Sequence, residues 1–246
     1  MSMVLREELS EGIVAITLNR PESLNALSPA LFSELNQIVT ELSKQTDSVG
    51  CVILRGAGRC FSAGNDLKAV RSGVKAKEKF FQAKTIDLIE KLPQPTIASV
   101  HGHCLTGALE LALACDLMIT SESANLADTH GKWGMVPGWG MSVRLPRRVG
   151  LLKAKEMMFT GMSINGLQAV EIGLSSQCVA DDHLKVSTLD LAESIVKNSW
   201  HTNFADKKLF LDNENHFHDA SLKMEREQSA SVASDMHERV KQGFKS

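Results

Sequence analysis

The chain has 246 residues, 43% of them hydrophobic and 23% charged, which suits one or two folded domains around a continuous core and excludes wholesale disorder. Lys plus Arg number 27 and Asp plus Glu 29, a formal net charge of −2. This removes the general electrostatic drive toward nucleic acid or an anionic membrane.

The longest apolar stretch, residues 105–114, is interrupted by Thr106 and Glu110 and is too short to span a bilayer. The first eleven residues carry Arg6, Glu7 and Glu8 and no apolar signal core. The cysteines, Cys51, Cys60, Cys104, Cys115 and Cys178, are odd in number and lack Cys-x-x-Cys spacing. They read as free, buried thiols of a reducing compartment, not as a zinc or redox pair. The expectation is a cytoplasmic protein with no membrane segment.

In chain order, Gly12–Leu18 reads as a strand stopped by Asn19-Arg20-Pro21. Ser28-Pro29 opens a helix, because Ser caps and Pro suits the first helical position; Leu31, Leu35, Ile38 and Leu42 then recur at helical spacing. Residues 51–54 read as a buried strand, ended by Gly56-Ala57-Gly58. A loop with Ala63-Gly64-Asn65-Asp66 follows, then a polar, Lys-rich stretch to Lys84 that reads as a flap. A helix over 85–92 stops at Pro93 and Pro95. Thr96–Val100 is a strand, His101-Gly102-His103 a turn, Gly107 onward a helix, and 116–120 a strand. Alternating strands and helices predict an α/β fold. Residues 184–197 and 224–241 read as helices, with an Asn/His-rich segment at 212–218 between them. The division is an α/β core over 1–183 and a helical C-terminal region over 184–246.

Gly56-Ala57-Gly58 resembles the start of a dinucleotide fingerprint, but Phe61 occupies the third Gly position. There is no P-loop, no Gly-x-Ser-x-Gly elbow and no His-Glu-x-x-His pair. His101 and His103 lack further clustered ligands, so no metal site is predicted. What remains is two small-residue turns, one in Cys60-Phe61-Ser62-Ala63-Gly64-Asn65-Asp66-Leu67-Lys68 and one in the run from Val100 to Asp116, which holds Leu105-Thr106-Gly107-Ala108. Each stands at a strand-to-helix junction, where small residues let a ligand approach free backbone N–H groups. Side by side they would hold an oxyanion; either alone reads as tight helix–strand packing.

Several runs together make the chain resemble the crotonase (enoyl-CoA hydratase/isomerase) superfamily. They are Leu18-Asn19-Arg20-Pro21 with Leu24-Asn25-Ala26-Leu27, Phe61-Ser62-Ala63-Gly64-Asn65-Asp66-Leu67, residues 107–116, and Val136-Pro137-Gly138-Trp139-Gly140 leading to Arg144-Leu145-Pro146. The resemblance extends from Val4 to Lys241. It implies a spiral of ββα units in two roughly perpendicular sheets, then a C-terminal helical trimerisation region, in a homotrimer or a dimer of trimers. It also implies an acyl-CoA thioester substrate, with CoA part of the substrate and no cofactor.

Matched to the family's motifs, the backbone N–H groups of Asn65 and Gly107 would hold the enolate oxygen. Ser23, Leu24, Ala63, Asp66, Leu67 and Lys68 would line the adenine and pantetheine path, and Trp133 the acyl pocket. Glu110 matches the first of the hydratases' two glutamates, and its apolar neighbours favour burial and a raised pKa. His130 stands where the second glutamate is expected. Imidazole can still exchange a proton near neutrality, and Asp128 is close enough in sequence to orient it.

Thr106 and Ala108 replace glycine-type positions beside the oxyanion turn. Trp139 reads as core filling, and Arg144, Arg147 and Arg148 as an interface or helix-end cluster. The ending at Ser246 implies a reduced C-terminal contribution to CoA binding. The reading is a 2-enoyl-CoA hydratase adding water across C2=C3. A Δ3-Δ2-enoyl-CoA isomerase is the alternative, and a weak acyl-CoA or RNA-binding member the third; the near-neutral charge disfavours RNA.

Overall fold

The computed structural model of the protein describes residues 2–71 and 78–213. Its main sheet is built from β1 (Val4–Ser10), β2 (Gly12–Leu18), β3 (Val49–Gly56), β4 (Thr96–Val100), β6 (Leu117–Ser121) and β9 (Gln177–Val179), in that spatial order. β1 pairs antiparallel with β2, and every later pairing in this sheet is parallel. Its connections carry α1 (Pro29–Leu42), α2 (Leu67–Arg71), α3 (Phe81–Glu90) and α4 (Gly107–Leu113). A second sheet is formed by β5 (His103–Leu105), β7 (Asn125–Ala127) and β8 (Ser163–Ile164). The chain continues through α5 (Met141–Thr160), α6 (Gly166–Glu171), α7 (Leu184–Val196) and α8 (Trp200–Asn213).

The central strands are buried on both faces, as parallel strands covered by helices on each side must be. Period-2 alternation divides their side chains between two cores. Val14, Ile16, Leu18, Val52, Leu54, Ala98, Val100 and Met118 join α1, α3 and α4 in one. Ile13, Ala15, Cys51, Ile53, Ile97 and Ile119 point to the other face, where Leu184 and Ala192 of α7 cover them. Each such isoleucine, fully buried, contributes about 1.5–3 kcal/mol, so α7 closes a second core layer.

The helix start at Ser28 is as expected: its hydroxyl accepts the Leu31 amide, with Pro29 at the first position. The helix expected over 85–92 starts earlier, at Phe81, after Phe80 takes a left-handed φ of 62°. The last four residues of the expected flap, 81–84, are therefore helical, its first five form α2, and residues 72–77 lie outside the described residues. So does the helix expected over 224–241. Of the Asn/His-rich 212–218 segment, Asp212 and Asn213 end α8, and the rest lies outside.

Four cysteines are buried, Cys178 is half-buried, and all are free thiols. Burial pushes the Cys51 and Cys115 thiols up to about 12, so both are inert at neutral pH.

Candidate active site

The two small-residue turns meet. The chain enters the first through hydrogen bonds centred on Asn25, a fully buried residue with a left-handed φ of 53°. Its Nδ2 donates to the carbonyls of Ala57, Cys60 and Phe61, and its Oδ1 accepts the Arg20 amide. The Ser62 hydroxyl donates to the Asn25 carbonyl and accepts the Gly64 amide. Gly64 has φ +94°, and a Cβ there would lie 2.5 Å from the Leu105 carbonyl oxygen and 3.6 Å from the Gly107 nitrogen. Only glycine permits this approach. Neither the Asn65 nor the Gly107 amide donates to a backbone carbonyl among the described residues, so both remain available to a ligand.

Asp66 holds the turn from beyond. One carboxylate oxygen accepts Arg20 Nη1 at 2.9 Å; the other accepts the Lys68 and Ala69 amides and caps α2. Burial is the largest single influence and works to raise its carboxyl, but the Arg20 hydrogen bond and charge and the Ala69 and Lys68 amides together outweigh it and hold the group below the usual range.

The second turn is set by the small sheet. β5 and β7 pair in parallel with Leu105 opposite Ala127, and the Thr106 amide donates to the Ala127 carbonyl at 2.8 Å. One strand therefore delivers Thr106-Gly107 and its neighbour delivers Asp128-Thr129-His130 to the same place. The Thr106 and Thr129 hydroxyls hydrogen-bond across the gap. Thr106 has φ +56° and ψ −113°, a conformation that suits glycine and is strained for a β-branched residue by about 1–3 kcal/mol. That strain sits one residue before the Gly107 amide.

Glu110 lies one helical turn on from Thr106 and is 1% exposed. Its Oε1 accepts the amides of Trp139, at 2.8 Å, and Met141, at 3.1 Å. Its Oε2 faces His130 Nε2 at 3.7 Å, and His130 Nδ1 lies 2.6 Å from Asp128 Oδ1. Burial is the largest influence on Glu110 and pushes its carboxyl above the usual range; the two amides and His130 oppose the shift without cancelling it.

Arg144 holds the loop that supplies those amides. Its guanidinium is buried, donates to the Trp139 carbonyl, and pairs with Asp87 and Glu90 of α3. This replaces the expected interface or helix-end role: Arg144 is an internal clamp. Arg148 likewise donates to the Cys115 carbonyl. Trp139 does more than fill core. It stacks edge-on against Phe32, its ring closes over Gly107, and it lines the cleft.

Ser23, Leu24, Ala63, Asn65, Asp66, Leu67, Lys68, Gly107, Glu110, His130 and Trp133 all line one cleft of about 870 Å³. Thr129, Met135 and Val136 share it, with Val136 and Trp133 exposed at its mouth. In the sequence Thr129 and Met135 have no site role and Val136 only a place in a motif run. Thr129 and Met135 sit between recognised motif positions with no pattern of their own. The backbone hub at Asn25 had a signal in its place within the Leu24-Asn25-Ala26-Leu27 run, but not its three-carbonyl role.

Comparison with known proteins matches residues 8–246 to the model of one family, enoyl-CoA hydratase/isomerase. The chain belongs to this family. It is 40% identical over 196 residues to YngF of Bacillus subtilis, covering 77% of this chain and 74% of that one. To the short-chain-enoyl-CoA hydratase of Clostridium acetobutylicum it is 34% identical over 194 residues, covering 77% and 74%. A crystal structure of enoyl-CoA hydratase from Bacillus anthracis superposes with a TM-score of 0.92 at 34% identity, over 99% of this chain and 96% of that one. The α/β expectation and the crotonase-type fold therefore hold, and the two turns occupy one cleft within it.

Proposed function

We propose that the protein is a 2-enoyl-CoA hydratase. The observation that carries this reading is that one cleft is lined both by Asn65 and Gly107, whose amides have no backbone acceptor among the described residues, and by a buried pair, Glu110 and His130. The names of its relatives support the reaction class.

In this reading the thioester oxygen sits between the two amides. A water molecule lies against Glu110 Oε2 and His130 Nε2. Its oxygen bonds to C3 while the C2=C3 electrons move toward the thioester oxygen, forming an enolate stabilised by the amides. Ionised Glu110 takes the proton lost by water. Protonated His130 gives its Nε2 proton to C2 as the carbonyl re-forms. Glu110 then returns a proton to His130 across the short gap, and the pair is reset. Atoms and charges balance without a metal or redox cofactor, and CoA remains part of the substrate. Ser23, Leu24, Ala63, Asp66, Leu67 and Lys68 bind the CoA portion, and Trp133 borders the acyl group.

Purified protein with crotonyl-CoA tests this directly. Loss of the conjugated-thioester absorbance, with a product heavier by one water, is the expected result. Movement of the double bond in a 3-enoyl-CoA without hydration of crotonyl-CoA identifies the isomerase instead. For the assembly, we propose a homotrimer or a dimer of trimers; the exposed Leu152 and Phe159 of α5 supply apolar surface for such contacts. Free, high-pKa thiols support placement in a reducing compartment, and we favour the cytoplasm. Among the described residues no helix is long and apolar enough to cross a membrane.

A further inference from the structure

We propose that Asp128 is a positioning residue, which fixes His130 with its proton on Nδ1 and confines proton exchange to Nε2, the nitrogen facing Glu110. The proposal rests on the hydratase reading and deepens it.

Asp128 follows β7 directly and is 1% exposed, outside the lining of the cleft. It therefore acts through another residue and not on substrate. Its Oδ1 lies 3.1 Å from the His130 amide nitrogen and 2.6 Å from Nδ1 of the same residue. One carboxylate oxygen thus ties the imidazole to its own backbone. An ionised carboxylate is an acceptor only, so the ring nitrogen against it must carry the hydrogen. Nε2 is then the atom that alternates between lone pair and N–H. It stands 3.7 Å from Glu110 Oε2, whose partner oxygen is already held by two backbone amides. Neither side chain has freedom to turn its reactive atom away.

The arrangement answers a geometric problem. A glutamate could reach toward the cleft on a flexible stem, whereas an imidazole must present the correct nitrogen in the correct state. A short acidic side chain two residues earlier does this within one turn. The parallel pairing of β5 and β7 places that turn beside the Gly107 amide.

Asp128→Asn provides the kinetic test. Asparagine retains an oxygen for the His130 amide, so a merely structural role predicts turnover per folded enzyme within about threefold of the parent. The proposal predicts a loss of kcat on the order of 100- to 10,000-fold, as when an oriented histidine loses its carboxylate, with KM for crotonyl-CoA changed by no more than a few-fold. Nitrogen-15 NMR of the unaltered protein gives a readout independent of turnover, the His130 signals being assigned by their loss in His130→Gln. Protonated Nδ1 in the neutral ring, with titration at Nε2, is the expected pattern. A neutral Nε2–H form in the parent overturns the proposal even if Asp128→Asn does not fold. So does an Asp128→Asn enzyme with parental kcat. A parent inert toward crotonyl-CoA that shows the expected Nδ1–H signal overturns the hydratase reading and leaves the positioning role standing.

Discussion

One part of the cleft lining presents backbone and another presents side chains. The first consists of the Asn65 and Gly107 amides, aimed by glycine at position 64, by the Asn25 hydrogen bonds and by the register of β5 on β7. The second consists of Glu110 and His130, aimed by the Trp139 and Met141 amides and by Asp128. The difference teaches where each part is vulnerable. A backbone donor survives loss of its own side chain but not a change in turn geometry. A side-chain acid or base is lost with one atom, while the fold around it remains.

The largest expected effect falls on the side-chain part. Glu110→Gln lowers crotonyl-CoA turnover by roughly 100- to 10,000-fold, the range for a general acid–base group. Affinity for the thioester, measured by calorimetry on the inactive complex, stays within a few-fold. Equal turnover would remove Glu110 from the chemistry. The same comparison on the backbone part needs Gly64→Ala. Its Cβ meets the Leu105 carbonyl oxygen at 2.5 Å, in a left-handed conformation, so the turn must shift. Turnover should fall about 100- to 1,000-fold, as for loss of an oxyanion donor, although no acid or base has been touched.

The pH dependence sharpens the contrast. Burial raises the Glu110 carboxyl above the usual range. Activity that needs the carboxylate should therefore decline on the acid side at a pH above the ordinary glutamate value. Stability moves with the opposite sign. A carboxyl raised on folding contributes stability that is fully present below its unfolded pKa and is lost as pH rises through its folded pKa. Glu110→Gln should consequently gain in melting temperature relative to the parent as pH rises through that window. A constant difference across it would show that Glu110 carries no raised pKa. The smallest effect is expected from Asn65→Ala. It leaves the amide in place, and kcat/KM should stay within about threefold; a loss as large as that of Gly64→Ala would mean the Asn65 side chain, not its backbone, does the work.

Much of this was legible in the sequence because the signals are local. Ser28-Pro29 states its own helix start, and the strand at Thr96–Val100 is bounded by prolines and a glycine turn. The two turns announced themselves by their glycines, and Glu110 by its place after Gly107. What was not legible depends on contacts between distant segments. β5, β7 and β9 have three residues each and β8 two, too few for a period to register, yet the first two fix the site. In the sequence Arg144 reads as an interface or helix-end charge and Trp139 as core filling. Only the folded chain shows one clamped between α3 and the Trp139 carbonyl, and the other closing over Gly107. α5 conceals its break at Gly150, where φ is +76°, because helix formers stand on both sides.

The most direct test of the account follows crotonyl-CoA in water enriched in oxygen-18, with the product weighed by mass spectrometry. The account predicts 3-hydroxybutyryl-CoA carrying one heavy oxygen from the parent protein, and unchanged crotonyl-CoA from Glu110→Gln. Unchanged crotonyl-CoA from the parent, or equal labelling by both proteins, would contradict it.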